Sequence, residues 1–275
     1  MLVDFHCHTN CSDGELSPQQ LIDLAQQNSI KIISITDHDN IDAYSQIDTK
    51  LLGDMRLIPG IEFSTTWNKI GIHIVGLNFN LDSKYINRAI QKHKIFRIKR
   101  AEIISKKLER IGLINAYEKL SKNGLNQIGR PDFAQLLVKE GLCKNVQQAF
   151  KKYLGAGKMG DVKNQWLSYQ EIIHTIQDSG GTAVLAHPLL YKLTNSKLKR
   201  LIKDFAQSGG EAIEVINGYQ NPNKTAYLQK LSNEFNLKAS IGSDFHRHNK
   251  WSKLGCDTQL ISHNISVWDE TMKNV

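Results

Sequence analysis

Nine side chains that can bind metal ions come from six separate segments of the sequence. The set is His6, His8, Asp13, His38, Glu62, His73, His187, Asp244 and His246. It offers imidazole nitrogen and carboxylate oxygen without thiolate, which suits Mn, Fe or Zn better than a soft metal, Mg²⁺ or Ca²⁺. One ion takes about three or four protein ligands and leaves positions open for water. The set therefore predicts two or three divalent transition-metal ions per chain, with Mn as the expected metal and Fe or Zn as the alternatives.

Each motif by itself also has a structural interpretation. His6 and His8 could simply share one face of a strand, because side chains alternate there. The segment Thr36–Asp39 could cap a loop, and His187 could be a buried core histidine. Because these motifs recur at five predicted strand ends, a common site is favoured over separate structural roles. Three other histidines fall in helical or terminal stretches and are predicted to be structural or surface residues: His93, His174 and His263.

The scaffold that must bring these segments together is predicted from alternating strand and helix patterns. Apolar runs predict strands at Leu2–Phe5, Ile30–Ile35, Leu57–Phe63, Ile72–Leu77, Thr182–Ala186, Ala212–Ile216 and Leu237–Ile241. Capping boxes that begin at Ser17 and Ser168 predict two helix starts. The alternation favours an α/β fold with a parallel sheet, open or closed into a barrel. Because parallel strands end at one face, the nine ligands are expected to meet there.

The middle of the chain interrupts this pattern. Residues 84–165 lack strand patterns and predict helices, the first of them through Lys92–Arg110. This segment holds 19 Lys and Arg against 6 Asp and Glu, a balance of +13, whereas the rest of the chain carries −5. We therefore predict an α/β domain formed by residues 1–83 and 166–275, with a basic helical insertion at 84–165. The insertion is expected to meet a polyanion; the alternative is a solvated, lysine-rich helix surface.

Length and composition exclude some classes of protein. No apolar run in the 275 residues approaches the roughly 20 needed to span a bilayer, so no membrane association is expected. The four cysteines form no CxxC pair, which predicts reduced thiols and a cytoplasmic protein. No feature of the sequence indicates an obligate protein partner.

The ligand motifs resemble those of the polymerase-and-histidinol-phosphatase (PHP) family of phosphoesterases. The matching stretches are Asp4–His8 with Ser12–Gly14, Thr36–His38, Gly60–Glu62, His73, Ala186–Pro188 and Gly242–His246. The resemblance covers nearly the whole chain, and the set of motifs is highly specific. It implies a distorted seven-stranded (β/α) barrel with a helical insertion and a site for three metal ions.

The resemblance also implies how the ligands divide among the ions. The first ion would take His6, His8, Glu62 and Asp244. The second would take Asp13, His38 and His246. The third would take Glu62, His73 and His187. Glu62 would then bridge two ions with its two carboxylate oxygens.

Within the family, the chain is similar to the stand-alone members that act on nucleotides. These remove the 3′-phosphate of nucleoside 3′,5′-bisphosphates and degrade RNA from its 5′ end. That subgroup carries an Arg-Pro-x-Phe-Ala segment in its helical insertion, matched here by Arg130–Ala134. The resemblance implies phosphoester hydrolysis by a metal-activated hydroxide, with a nucleotide or a short RNA as the substrate.

A few residues are expected to have roles beyond metal ligation. Arg130 would clamp a phosphate through its planar guanidinium, and either His246 or a water would protonate the leaving oxygen. Asp37, together with Asp4, would orient ligand imidazoles. The candidate catalytic residues are Asp37, His246 and Arg130, and the candidate substrate contacts are Arg130, Asp13 and His38.

Two other functions remain open on the sequence. A phosphatase of a small metabolite such as histidinol phosphate would use the same metal ligands but would not need a basic insertion. A nucleic-acid-binding module without catalysis would not need a complete ligand set, and the complete set weighs against it.

Overall fold

The computed structural model describes residues 1–122, 128–163, 166–248, 253–261 and 266–269. Within these ranges the strands are β1 Leu2–Cys7, β2 Ile32–Ile35, β3 Arg56–Leu57, β4 Gly60–Trp67, β5 Ile70–Leu77, β6 Thr182–Leu185, β7 Ala212–Asn217, β8 Lys238–Gly242 and β9 Cys256–Asp257. The helices are α1 Pro18–Gln27, α2 Lys84–Leu108, α3 Ala116–Ser121, α4 Arg130–Lys139, α5 Val146–Ala149, α6 Tyr169–Gln177, α7 Asn195–Gln207 and α8 Pro222–Glu234. The predicted α/β class is confirmed.

Two helix starts follow the predicted capping boxes. The Ser17 hydroxyl accepts from Gln20 N at 3.3 Å, and the Gln20 side chain accepts from Ser17 N at 2.9 Å. Ser168 and Glu171 make the same reciprocal pair at the start of α6. Each box satisfies backbone N–H groups that have no partner inside the helix, so the sequence fixes where these helices begin.

The strands form two sheets. The first has the order β3-β2-β1-β9, in which β1 and β9 are antiparallel and the other pairs are parallel. The second has the order β4-β5-β6-β7-β8, antiparallel from β4 to β6 and parallel from β6 to β8. Single parallel bridges, Cys7 to Phe245 and His38 to Glu62, link segments of the two sheets. Among the described residues the ladders do not close into the predicted seven-stranded barrel.

The expectation of a parallel sheet is wrong for β4, β5 and β6. Strands β4 and β5 are joined by Asn68 and Lys69 alone, with φ angles of 47° and 67°. Two successive residues at positive φ form the mirror-image turn that matches the twist of a two-residue hairpin. Such a turn leaves no room for a crossover helix, so β5 must run antiparallel to β4. An apolar run shows that a strand is buried but does not show its direction.

The chain divides into two compact units. Unit 1 comprises Met1–Ile90 and Leu167–Val275, and unit 2 comprises Gln91–Trp166. Both sheets lie in unit 1. The described part of unit 2 contains helices and no strand, and it has its own hydrophobic core, which includes Leu108, Phe133, Leu137 and Leu154. The predicted insertion at 84–165 starts with the first residue of α2, whereas unit 2 starts inside that helix.

Within the described ranges, no helix combines the length and the apolar character that crossing a membrane requires.

Candidate metal centre

The nine predicted metal ligands lie together in unit 1. Their donor atoms form four overlapping groups, in each of which all the donor atoms lie within 4.8 Å of one another. The groups are His8, Asp13, His38 and His246; His6, Glu62 and His187; His6, His8 and Asp244; and His38, Glu62 and His73. Each of the nine residues belongs to at least one group. The structure thus brings together six segments that are far apart in the sequence.

Strand ends and strand interiors both supply these ligands. The ligands that follow strand ends are His8 after β1, His38 after β2, His187 after β6, and Asp244 and His246 after β8. Those within strands are His6 in β1, Glu62 in β4 and His73 in β5. Asp13 lies in the loop that follows β1. Because β5 is antiparallel to its neighbours, His73 reaches the cluster from the middle of its strand and not from a strand end.

Glu62 is fully buried at the centre of the cluster. Its Oε1 faces His73 Nδ1 at 2.7 Å and His187 Nε2 at 2.9 Å. Its Oε2 faces His38 Nδ1 at 2.9 Å and Nε2 of both His6 and His8 at 3.4 Å. Burial by itself raises the pKa of Glu62, but the surrounding imidazoles, led by His38 and His73, hold that pKa well below its usual range. The carboxylate is therefore ionised, and its two oxygens face different histidines.

Two ring nitrogens lie close to the first of these oxygens and form a trio of donors with it. His73 Nδ1 and His187 Nε2 lie 3.3 Å from each other, and both lie within 2.9 Å of Glu62 Oε1. One carboxylate oxygen and two ring nitrogens make a site for one ion with positions left open. The trio has the same members as the third set that the family resemblance implies.

A second group lies where β1 meets the end of β8. Nε2 of His6 and Nε2 of His8 are 3.1 Å apart, and Asp244 Oδ1 lies 3.5 Å and 3.3 Å from them. Asp244 has a φ of 52°, which is uncommon for a residue with a side chain, and its N–H donates to His6 O at 2.7 Å. The turn that directs this carboxylate is therefore tied to β1, the strand that carries the two histidines.

The third group forms the exposed edge of the cluster. Asp13 has a side chain that is 42% exposed; its Oδ1 lies 3.2 Å from His246 Nε2, and its Oδ2 lies 3.9 Å from His38 Nε2. His246 Nδ1 lies 2.9 Å from Asp244 O. A carbonyl oxygen only accepts, so Nδ1 carries the hydrogen of the neutral ring and Nε2 is the nitrogen that faces Asp13. This tautomer suits metal binding through Nε2.

Glu214 is a buried carboxylate beside the cluster that sequence reasoning missed. It lies in β7, where Oε1 accepts from His6 Nδ1 at 3.0 Å and Oε2 accepts from His187 N at 2.5 Å. Because the Nδ1 hydrogen of His6 goes to Glu214, the Nε2 lone pair of His6 faces the cluster. The signal was available: a single charged residue within the otherwise apolar stretch Ala212–Ile216.

The donor set fits divalent metal ions. Glu62 Oε2 is buried and accepts no hydrogen bond from the described residues, although three ring nitrogens lie within 3.4 Å of it. A buried carboxylate oxygen without a partner is costly. Two ring nitrogens 3.1 Å apart, one of them with its lone pair directed inwards, are also close enough to bind the same cation. Divalent ions that accept mixed nitrogen and oxygen ligands fit both observations.

Asp37 and Asp4 bind backbone and hydroxyl groups and not ligand imidazoles. Asp37 accepts from Thr9 N at 2.8 Å, and from Thr9 Oγ1 and Ser12 Oγ at 2.5 Å. Asp4 accepts from the backbone N–H groups of His6, Ser243 and Gly255. Burial raises the pKa of each carboxyl to about 6. Asp37 thus secures the loop that carries Asp13. Among the described residues, Glu214 is the carboxylate outside the cluster that orients an imidazole. A catalytic role for Asp37 stays a prediction.

Arg130 lies in unit 2, at the start of α4. Its Nη1 is 3.9 Å from Asp161 Oδ1. Arg97 and Arg100 lie over the ring of Trp166, 5.2 Å and 5.9 Å from its centroid. Burial, together with the charges of Arg130 and Arg97, lowers the pKa of Arg100 to about 10. The three guanidinium groups therefore form a cationic cluster in which the charges repel one another.

Three histidines outside the ligand set were predicted to be structural or surface residues. His93 is buried in α2, and its ring stacks on Trp166 with centroids 5.3 Å apart and planes 14° apart. His174 is exposed on α6. Neither belongs to the metal-ligand groups. His263 lies outside the described residues.

Comparisons with known proteins agree with a metal-dependent site. The sequence model described as the PHP domain matches residues 4–217. A 5′-3′ exoribonuclease of Haemophilus influenzae is 39% identical over 269 residues, which cover 97% of this chain and 98% of the relative. A 3′,5′-nucleoside bisphosphate phosphatase of Chromobacterium violaceum is 32% identical over 249 residues, covering 89% of this chain and 87% of the relative.

A solved structure shares the fold along nearly the whole chain. It is an amidohydrolase from Chromobacterium violaceum with bound sulfate and no metal. It superposes with a TM-score of 0.86 at 29% identity and covers 98% of this chain and 96% of its own.

Proposed function

The chain belongs to the PHP domain family and is a metal-dependent phosphoester hydrolase, and from this premise we propose that its substrates are nucleotides. It would remove the 3′-phosphate of nucleoside 3′,5′-bisphosphates, degrade short RNA from 5′ to 3′, or both. The observation that carries the hydrolytic part is the convergence of nine donors around Glu62. The two relatives named above, an exoribonuclease and a bisphosphate phosphatase, support the choice of substrate.

We propose that the centre binds two or three divalent ions, with Mn expected and Fe or Zn as alternatives. The three ligand sets implied by the family resemblance would hold them, within a barrel-like arrangement of the two sheets. When bound, the ions supply an activated water and neutralise charge on the phosphoryl oxygens. Glu62 would span two ions, since its two oxygens face different histidines.

The exposed edge of the cluster would receive the substrate. Asp13 and His38 are the proposed contacts, and His246 was predicted both to bind metal and to supply a proton. Burial lowers the pKa of His246, but the facing Asp13 carboxylate outweighs this and raises that pKa, because it favours a positive charge at Nε2. A metal ion bound at Nε2 would be stabilised by the same Asp13 carboxylate. Since Nδ1 is engaged with Asp244 O, the two roles compete for Nε2, and we favour ligation.

The basic insertion at 84–165 would bind phosphates that are not being cleaved. Arg130 is the proposed clamp, because a planar guanidinium can bind two phosphate oxygens at once. Its neighbours Arg97 and Arg100 repel it and each other, so an anion at the cluster relieves the repulsion.

The four cysteines are free and buried, which fits the cytoplasmic location proposed from the sequence.

A panel of phosphate esters assayed with Mn²⁺ tests the substrate. We expect a nucleoside 3′,5′-bisphosphate and a 5′-phosphorylated oligoribonucleotide to have higher specificity constants than histidinol phosphate. The advantage of the oligoribonucleotide should fall with salt by a logarithmic slope of about −0.7 per phosphate contacted, or about −1.5 to −2 for two or three phosphates. If the rate is insensitive to salt and histidinol phosphate is the best substrate, the protein is a metabolite phosphatase.

Arg130→Ala should lower the specificity constant for nucleotide substrates by about 10- to 100-fold, the worth of a lost charge-assisted hydrogen bond. Both KM and kcat should change, since a clamp binds and orients. Arg110→Ala, which removes an exposed arginine of the same unit, is the control and should have little effect. Equal losses for Arg130→Ala and Arg110→Ala would mean that only overall charge matters.

Replacing Lys106 and Lys107 with Gln should weaken oligoribonucleotide hydrolysis more than that of small esters.

A further inference from the structure

Glu214 contacts two of the proposed metal ligands at once, and we propose that it is the residue that positions both of them to bind metal. Its Oε1 accepts from the ring Nδ1 of His6, and its Oε2 accepts from the backbone N–H of His187. These histidines come from β1 and from the end of β6, and Glu214 lies in β7. The proposal rests on the proposed function in taking His6 and His187 as metal ligands.

The first effect of Glu214 is on the tautomer of His6. A buried carboxylate 3.0 Å from Nδ1 requires a hydrogen on that nitrogen. In the neutral ring, the form that binds metal, the lone pair then lies on Nε2, the atom that is 3.1 Å from His8 Nε2 and 3.4 Å from Glu62 Oε2. A ring held in the other tautomer would present an N–H to the metal and could not bind it. The carboxylate also raises the electron density that the imidazole offers to the ion.

The second effect is on the backbone that carries His187. This residue has φ 26° and ψ 57°, a region that residues with side chains rarely adopt, and it precedes Pro188, which disfavours helical backbone angles further. The conformation needs support from outside, and a charge-assisted hydrogen bond from His187 N to Glu214 supplies it. His187 Nε2 is thereby held 2.9 Å from Glu62 Oε1.

Only a carboxylate of this length meets both demands. Three donors point at Glu214: His6 Nδ1, His187 N and, at 3.3 Å, Asn217 Nδ2. A glutamine has one acceptor oxygen, so its amide N–H₂ would have to face one of these N–H groups. The chain also leaves space for the carboxylate at Gly242, where an added Cβ would lie 2.8 Å from Glu214 Oε1 and 2.3 Å from His6 Cβ.

The test measures Mn²⁺ binding to the metal-free protein by calorimetric titration. Glu214→Gln should weaken Mn²⁺ binding by about 10- to 100-fold, the usual cost of losing a partner that orients a ligand. The rate at saturating Mn²⁺ should return towards that of the unaltered protein, because the ligands themselves remain. Glu211→Gln removes a carboxylate just before the same strand, one that faces Lys238 and no ligand, and should bind Mn²⁺ normally.

A second readout follows the imidazole itself. In the metal-free protein, at a pH high enough for the His6 ring to be neutral, ¹⁵N chemical shifts of His6 should report the tautomer with hydrogen on Nδ1, and Glu214→Gln should shift it towards the other tautomer. A residue that only fills space would leave the shifts unchanged. Unaltered Mn²⁺ affinity and unaltered His6 shifts in a folded Glu214→Gln protein would overturn the proposal.

A variant that does not fold and a protein without nucleotide hydrolysis are interpreted separately. If Glu214→Gln does not fold, Glu214→Asp decides: it keeps both oxygens but is too short to reach both donors, so binding must weaken, and undiminished Mn²⁺ affinity would count against positioning. If the unaltered protein hydrolyses no nucleotide, the proposed function fails. A difference in Mn²⁺ affinity between Glu214→Gln and Glu211→Gln would still support the positioning role.

Discussion

Glu62→Gln should abolish phosphate release while leaving the fold intact. The two oxygens of Glu62 face five imidazoles, so losing the charge weakens more than one metal site at once. Metal ions contribute several kcal/mol to a hydrolytic transition state, and each 1.36 kcal/mol is a factor of ten in rate. We expect a loss on the order of 10³-fold or more in kcat at saturating Mn²⁺.

The control for this substitution is Glu15→Gln. Glu15 is an exposed carboxylate in the loop that also carries Asp13, so its replacement removes the same charge close to the cluster. It should retain nearly full activity. Glutamine has nearly the volume of glutamate, and circular dichroism with a thermal melt will show whether both variants fold. If folded Glu62→Gln keeps more than about a tenth of the rate, Glu62 does not bridge the ions.

Chelation of the metal should remove all measurable activity, and added Mn²⁺ should restore it. Because the ligands converge only in the folded chain, bound ions stabilise the folded state over the unfolded one. A free ion concentration 100 times the dissociation constant stabilises by about 2.7 kcal/mol. That corresponds to a rise in melting temperature of about 5–10 °C for a domain of this size.

The chelation experiment has an internal check in the variants. Glu62→Gln should show a smaller rise in melting temperature on adding Mn²⁺, whereas Glu15→Gln should show the full rise. If the metal-free protein hydrolyses phosphate esters at an undiminished rate, the metal account of catalysis is wrong. If Mn²⁺ leaves the melting temperature unchanged, the ligands do not bind it in the folded chain.

The members of the donor cluster could be predicted because their chemistry is visible in single residues. Histidine and carboxylate next to an apolar run, as at Asp37-His38 after β2, indicate a strand end that carries polar side chains into one place. The capping boxes at Ser17 and Ser168 are equally local, since each needs only four consecutive residues. Such features are determined by a few consecutive residues, so they can be recognised directly in the sequence.

The features that were missed depend on contacts between distant segments. The direction of β5 is an exception, because it follows from the local turn at Asn68 and Lys69, although the apolar run gives no hint of it. The lone charge of Glu214 in an apolar stretch is visible in the sequence, but its contacts with His6 and His187 are not. Asp37 was expected to orient an imidazole, yet its side chain accepts hydrogen bonds from Thr9 and Ser12 in another loop.

Whether the sheets close into a barrel could not be predicted from the sequence either. Alternating strands and helices predict the α/β class, but whether a sheet closes depends on how the edge strands pair. Here β4 and β8 end one ladder, and β3 and β9 end the other. Among the described residues, single bridges such as the one from His38 to Glu62 join the two sheets, and this bridge lies within the metal-ligand cluster.

The number of metal ions bound per chain tests the central claim most directly. Elemental analysis of the protein after mild purification and Mn²⁺ supplementation should give about two to three transition-metal ions per chain, because nine ligands converge in overlapping groups. Glu62→Gln, measured in parallel, should bind fewer. A value of about one ion or less, not raised by manganese or iron, would contradict the multinuclear site.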